Sequence, residues 1–89
     1  MRVTRIDLRS ETSAAAAIVR EGTRVKACFY TPGETAPFRP DACKSAAIGD
    51  ASAMWMLAAW VQRGLEYRPG SRDQIAPYLV VLETLAESD

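Results

Sequence analysis

Ala14–Tyr30 reads AAAAIVREGTRVKACFY, and within it local propensity and hydrophobic pattern disagree. Four alanines, a cap from Ser10 or Ser13 and Gly22 as a left-handed terminator describe a short helix. Such a helix would offer only Ile18 and Val19 as large apolar groups, whereas helices in proteins are held mainly by packing. The alternative is a hairpin: Ala14 to Arg20 extended, a turn through Glu21-Gly22 where glycine supplies the positive φ, and a return strand. We prefer the hairpin. The return strand alternates Val25, Ala27 and Phe29 against Arg24, Lys26 and Cys28, and its β-branched and aromatic residues favour extended backbone. Upstream, MRVTRIDLR repeats the alternation, with Ile6 and Leu8 on one face and Arg5, Asp7 and Arg9 on the other.

Downstream the period changes. PGETAPFRPDAC, Pro32–Cys43, is irregular because its prolines and glycine oppose both pairing and helix. Lys44–Ile48 reads as a turn of helix before Gly49. Asp50 then caps a helix from Ala51 to about Arg63, with Gly64 as its left-handed stop. Ala53–Val61, AMWMLAAWV, is apolar around most of the helix, which places it centrally against the sheet. The last helix poses a conflict. Ser71-Arg72-Asp73-Gln74 has the form of a capping box, yet a start there leaves Pro77 beyond the first turn, so Asp73 is the expected cap. Ile75, Tyr78, Leu79, Leu82, Leu85 and Ala86 then form one buried stripe, with Glu83 and Glu87 on the wet side. The expected fold is α+β: one domain over residues 1–89, a small three-stranded antiparallel sheet followed by two helices packed on one face. Leu57, Leu79 and Leu82 should share its core with Ile6 and Phe29.

A chain of 89 residues with 48% apolar and 25% charged residues has the composition of one globular domain. Eleven basic residues balance eleven acidic ones, so no net field draws the whole molecule to nucleic acid or membrane. The distribution is uneven: residues 1–48 hold eight basic against five acidic, residues 49–89 three against six. The apolar run Ala53–Val61 is far shorter than the roughly 20 residues a bilayer needs. No charged-then-apolar leader precedes a cleavage site, so a cytoplasmic, reducing compartment is expected. Cys28 and Cys43 are accordingly expected as reduced, unligated thiols of the core.

Histidine is absent, which removes the commonest general base and metal ligand. The two cysteines lack a CxxC partner, the carboxylates are scattered, and the five glycines form no phosphate-binding loop. These absences argue for a protein without enzymatic activity, cofactor or metal. Binding chemistry remains. Arg5, Arg9, Arg20, Arg24 and Lys26 are outward candidates on the strands, with Tyr30 beside them and Phe38 and Arg39 at the tip of the proline-rich loop. The competing reading is a solvated strand face whose charges discourage aggregation. Trp55, Trp60, Met54 and Met56 read as core rather than as a partner patch.

The order of elements resembles the small phage-encoded type I anti-CRISPR proteins. The likeness rests on AIVREGTRVKACF (Ala17–Phe29), on MRVTRIDL at the start and on the Ile75–Leu85 spacing, about half of the chain as pattern. It implies a non-enzymatic inhibitor that binds a type I CRISPR surveillance complex or its effector, and it carries over no catalytic residue. The expected function is therefore stoichiometric inhibition through protein binding. A nucleic-acid-binding module using the basic strand face is the alternative, and an enzyme with a carboxylate or thiol centre comes third.

Overall fold

The computed structural model describes residues 3–10, 14–31 and 42–88. Its elements are β1 (Arg5–Arg9), β2 (Ala15–Glu21), β3 (Arg24–Tyr30), β4 (Cys43–Ala47), α1 (Ala51–Glu66) and α2 (Arg72–Ala86). The strands form one sheet in chain order, each antiparallel to the next. The expected α+β class holds, with four strands where three were expected.

The alanine run is a strand. In the β2–β3 hairpin Ile18 stands opposite Ala27 and Glu21 opposite Arg24, so Gly22 and Thr23 make the turn and Gly22 takes φ 62°. Alanine's helical preference loses because β2 pairs along both edges while Ala16 and Ile18 sit fully buried under the helices. Ala15 and Ala17 on the opposite side are fully buried as well, so burial along this half of β2 does not alternate.

Lys44–Ile48 is corrected: this segment supplies β4 rather than a helical turn. Lys44 pairs with Ala27 and Ala46 with Val25, so the free edge of β3 satisfies backbone groups that one helical turn would have left open. The same pairing overturns the expectation of free thiols. It sets Cys43 directly opposite Cys28, and the two are joined as a disulfide.

Both helices lie on one face. Asp50 caps α1 as expected, its carboxylate accepting from the Ala53 amide at 3.0 Å. The far end differs: α1 runs through Gly64 to Glu66, and Tyr67 takes the left-handed position at φ 57°. Gly64 makes room instead, since a methyl group there would overlap the Phe29 ring. α2 starts at Arg72 with Ser71 as cap, two residues earlier than the expected Asp73 cap; the Gln74 side chain accepts from the Ser71 amide at 2.8 Å. Pro77 is therefore inside the helix, on an exposed side where the lost hydrogen bond opens to water rather than to the core.

The core joins Ile18, Val25 and Ala27 of the sheet to Leu57, Val61 and Leu65 of α1 and Ile75, Leu82 and Leu85 of α2. Ile6, Phe29 and Leu79 pack at its margin, so the expected stripe and its partners meet. Phe29 and Trp60 stack at a tilt with centroids 4.6 Å apart. Met56 alone of the α1 Trp and Met residues is strongly exposed. No described helix is long and apolar enough to cross a membrane.

Candidate binding face

Strand alternation assigns the side of the sheet away from the helices to Arg5, Asp7 and Arg9 of β1, Ala15, Ala17 and Val19 of β2, and Arg24, Lys26, Cys28 and Tyr30 of β3. Its floor is small and dry. Ala15 and Ala17 have no exposed surface and Cys28 has 1%. Flanking Ala17 across the ladder are Asp7 and Cys28; flanking Ala15 are Arg9 and Tyr30.

Polar groups stand over that floor in two clusters. Arg5 donates to both carboxylate oxygens of Asp7, Nε to Oδ1 and Oδ2 at 3.2 and 3.1 Å and Nη2 to Oδ1 at 2.9 Å. The Tyr30 hydroxyl donates to Asp7 Oδ1 at 3.1 Å, bridging two strands across β2. The Arg5 guanidinium, aided by the Tyr30 phenol, holds the Asp7 carboxyl below its ordinary value, and Asp7 in turn raises Arg5. At the hairpin end Lys26 pairs with Glu21 at 2.8 Å, while Arg24 donates to the Ser45 hydroxyl through Nε at 3.1 Å and Nη2 at 3.0 Å. Each of these cations is oriented by a neighbour. Arg9 is held by no hydrogen bond or ion pair to a described residue, and its charge reaches Asp7 through space.

The remaining sequence candidates lie elsewhere. Arg20 pairs with Val25 and so belongs to the helix side, where its Nη1 donates to the carbonyls of Ala86 at 2.8 Å, Leu85 at 3.3 Å and Ser88. It closes the C-terminus of α2, whose unpaired carbonyls and negative dipole end favour a cation. Phe38 and Arg39 lie outside the described residues.

A second feature was not anticipated from sequence. Where β1 ends beside the C-terminus of α1, Arg9, Glu66, Tyr67, Arg68 and Tyr78 line a cleft of about 580 Å³. The Tyr78 hydroxyl donates to Glu66 Oε2 at 2.8 Å, and burial, reinforced by that carboxylate, pushes the phenol up to about 12. Arg68 stands 3.7 Å from the other Glu66 oxygen. No short motif joins these residues. Glu66, Tyr67 and Arg68 are consecutive, and tertiary placement brings Arg9 and Tyr78 to them.

Among the described residues no three His, Cys, Asp or Glu side chains converge as a metal-binding group. No family model, curated protein or solved structure matches the chain.

Proposed function

We propose that the protein is a non-enzymatic binding protein that docks an acidic protein face onto the outer side of its sheet and thereby inhibits a larger assembly. One observation carries this reading: Arg5, Arg9, Arg24 and Lys26 share a face that neither described helix covers, above alanines that are already buried. Arg5, Arg24 and Lys26 are oriented before any partner arrives, which lowers the entropy lost on binding. Asp7 and Glu21 lie among the cations, and such mixed charge suits a protein surface better than a phosphate backbone.

The resemblance to type I anti-CRISPR proteins supplies the target: a type I surveillance complex or its effector. That target implies a cytoplasmic protein. The Cys28–Cys43 bond must then resist a reducing pool, and the near-complete burial of Cys28 shields it from attacking thiols.

The test is to titrate the protein into a purified type I surveillance complex and follow both complex formation and target-DNA binding by the complex. Stoichiometric association with loss of target binding or of effector recruitment is expected. No association would overturn the target. Tight binding of the protein alone to random duplex DNA, falling steeply with salt, would instead establish the nucleic-acid reading.

A further inference from the structure

We propose that the cleft bounded by Arg9, Tyr67 and Arg68 is a separate small-molecule site for a planar aromatic anion, a flat ring carrying a phosphate or carboxylate. Its volume of about 580 Å³ is that of a small-ligand pocket. Two guanidinium groups reach it from different elements. Arg9 comes from the end of β1 and has no described hydrogen-bonding partner, while Arg68 follows α1 and is two-thirds exposed. The single carboxylate in the lining, Glu66, already accepts from Tyr78 and pairs with Arg68. The open donors are thus cationic, and a planar fork of N–H groups matches the oxygens of a phosphate or carboxylate.

Tyr67 supplies the second half of the specificity. The residue is 63% exposed, and its backbone sits at φ 57°, a position at a helix end that glycine ordinarily fills. An aromatic residue held there presents a bare π face at the cleft, suited to stacking on a flat ring. Arg9 is shared with the outer sheet face, whereas Tyr67 and Arg68 are not sheet residues, so Tyr67→Gly tests this site apart from partner docking on the strands.

Isothermal titration and amide chemical-shift mapping of the intact protein with four probes provide the test: adenosine monophosphate, adenosine, inorganic phosphate and benzoate. Saturable binding of adenosine monophosphate is expected, with shifts centred on Leu65–Arg68 and adenosine or phosphate alone at least about tenfold weaker. Benzoate binding without the nucleotide would assign a carboxylate ligand to the same site. Arg9→Gln should weaken the bound probe about tenfold. Tyr67→Gly should weaken it similarly while the melting temperature holds or rises, because glycine accepts the left-handed backbone freely. Binding of neither ring-bearing anion overturns the proposal, as does wild-type affinity in both variants.

Discussion

The two faces of this sheet bury the same small residue in opposite ways. Ala16 and Ala27 on one side and Ala15 and Ala17 on the other all have no exposed surface. The first pair belongs to the hydrophobic cluster that includes Leu57, Val61 and Leu82. The second pair does not. Its cross-strand neighbours are Asp7, Arg9, Cys28 and Tyr30, and the Arg5 and Asp7 side chains above it remain 50% and 41% exposed. Long polar side chains can cover apolar surface with their stems while their charged ends stay in water. Equal burial therefore conceals unequal surroundings: one face is packed as the hydrophobic core, and the other carries its alanines beneath partly exposed charged groups.

The sharpest contrast comes from the helix side. Leu82 is 1% exposed within the main cluster, so Leu82→Ala should lose about 2–5 kcal/mol through lost transfer energy and the cavity left behind. Denaturant unfolding measures this, and a loss under about 0.5 kcal/mol, the usual size of a surface change, would break the comparison at its strong end. The largest outer-face effect should come from the disulfide. Cys28 and Cys43 are separated by 15 positions, and opening a loop of that size costs about 3 kcal/mol by the chain-entropy account. Mass analysis should find the isolated protein two hydrogens lighter than its dithiol form, and reduction should lower the unfolding midpoint. Two free thiols would contradict the bond directly.

Gly64 tests the helix side from the opposite direction, by adding rather than removing atoms. Gly64→Ala should cost about 1–3 kcal/mol, because the new methyl group collides with the Phe29 ring. A stabilised variant, as ordinary helix propensity would give, would show that Phe29 yields easily. On the outer face Asp7 offers a finer measure. Its folded pKa is depressed, so its contribution is present above the unfolded value near 4 and is lost as pH falls through the folded value. The pair with Arg5 is exposed, which limits the effect to about 0.2–1 kcal/mol. Asp7→Asn should flatten that part of the acid limb in a comparison of stability against pH, and an unchanged limb would show that the pair contributes nothing to stability.

What was legible in the sequence was what alternation within one strand or stripe decides. Val25, Ala27 and Phe29 against Arg24 and Lys26, Ile6 and Leu8 against Arg5 and Arg9, and the Ile75–Leu85 stripe all follow from local periodicity. Contacts from far along the chain decide the rest. The segment CKSAA has little strand propensity of its own and becomes β4 only because β3 presents an open edge; without β4, no spacing rule could bring the cysteines together. Gly64 read as a stop because glycine commonly ends helices, whereas here the Phe29 ring requires its missing side chain. Arg20 was recoverable. Once Gly22 and Thr23 form the turn, it falls opposite Val25 and must share the helix side. The cleft beside Tyr67 had no such signal, since its members come from β1, the end of α1 and α2.

The smallest stability effect and the most informative functional one should come from the same double substitution, Arg24→Glu together with Lys26→Glu. Arg24 is exposed and Lys26 half-buried, both on the outer face, whereas Val25 and Ala27 beside them are fully buried. Their bonds to Ser45 and Glu21 are surface interactions, so their loss should change unfolding free energy by no more than about 0.5 kcal/mol. Reversal at Lys26 sets a second carboxylate beside Glu21 and changes the local field from attractive to repulsive for an acidic partner. Charges at the margin of an interface act chiefly on diffusional encounter. Surface plasmon resonance against the captured partner should therefore show slower association with a nearly unchanged dissociation rate, and the difference should shrink as salt screens the field. Unchanged kinetics would make these residues a solvated strand face and nothing more. A large loss of stability would mean that the outer charges carry the fold as well, and the division between the two faces would fail.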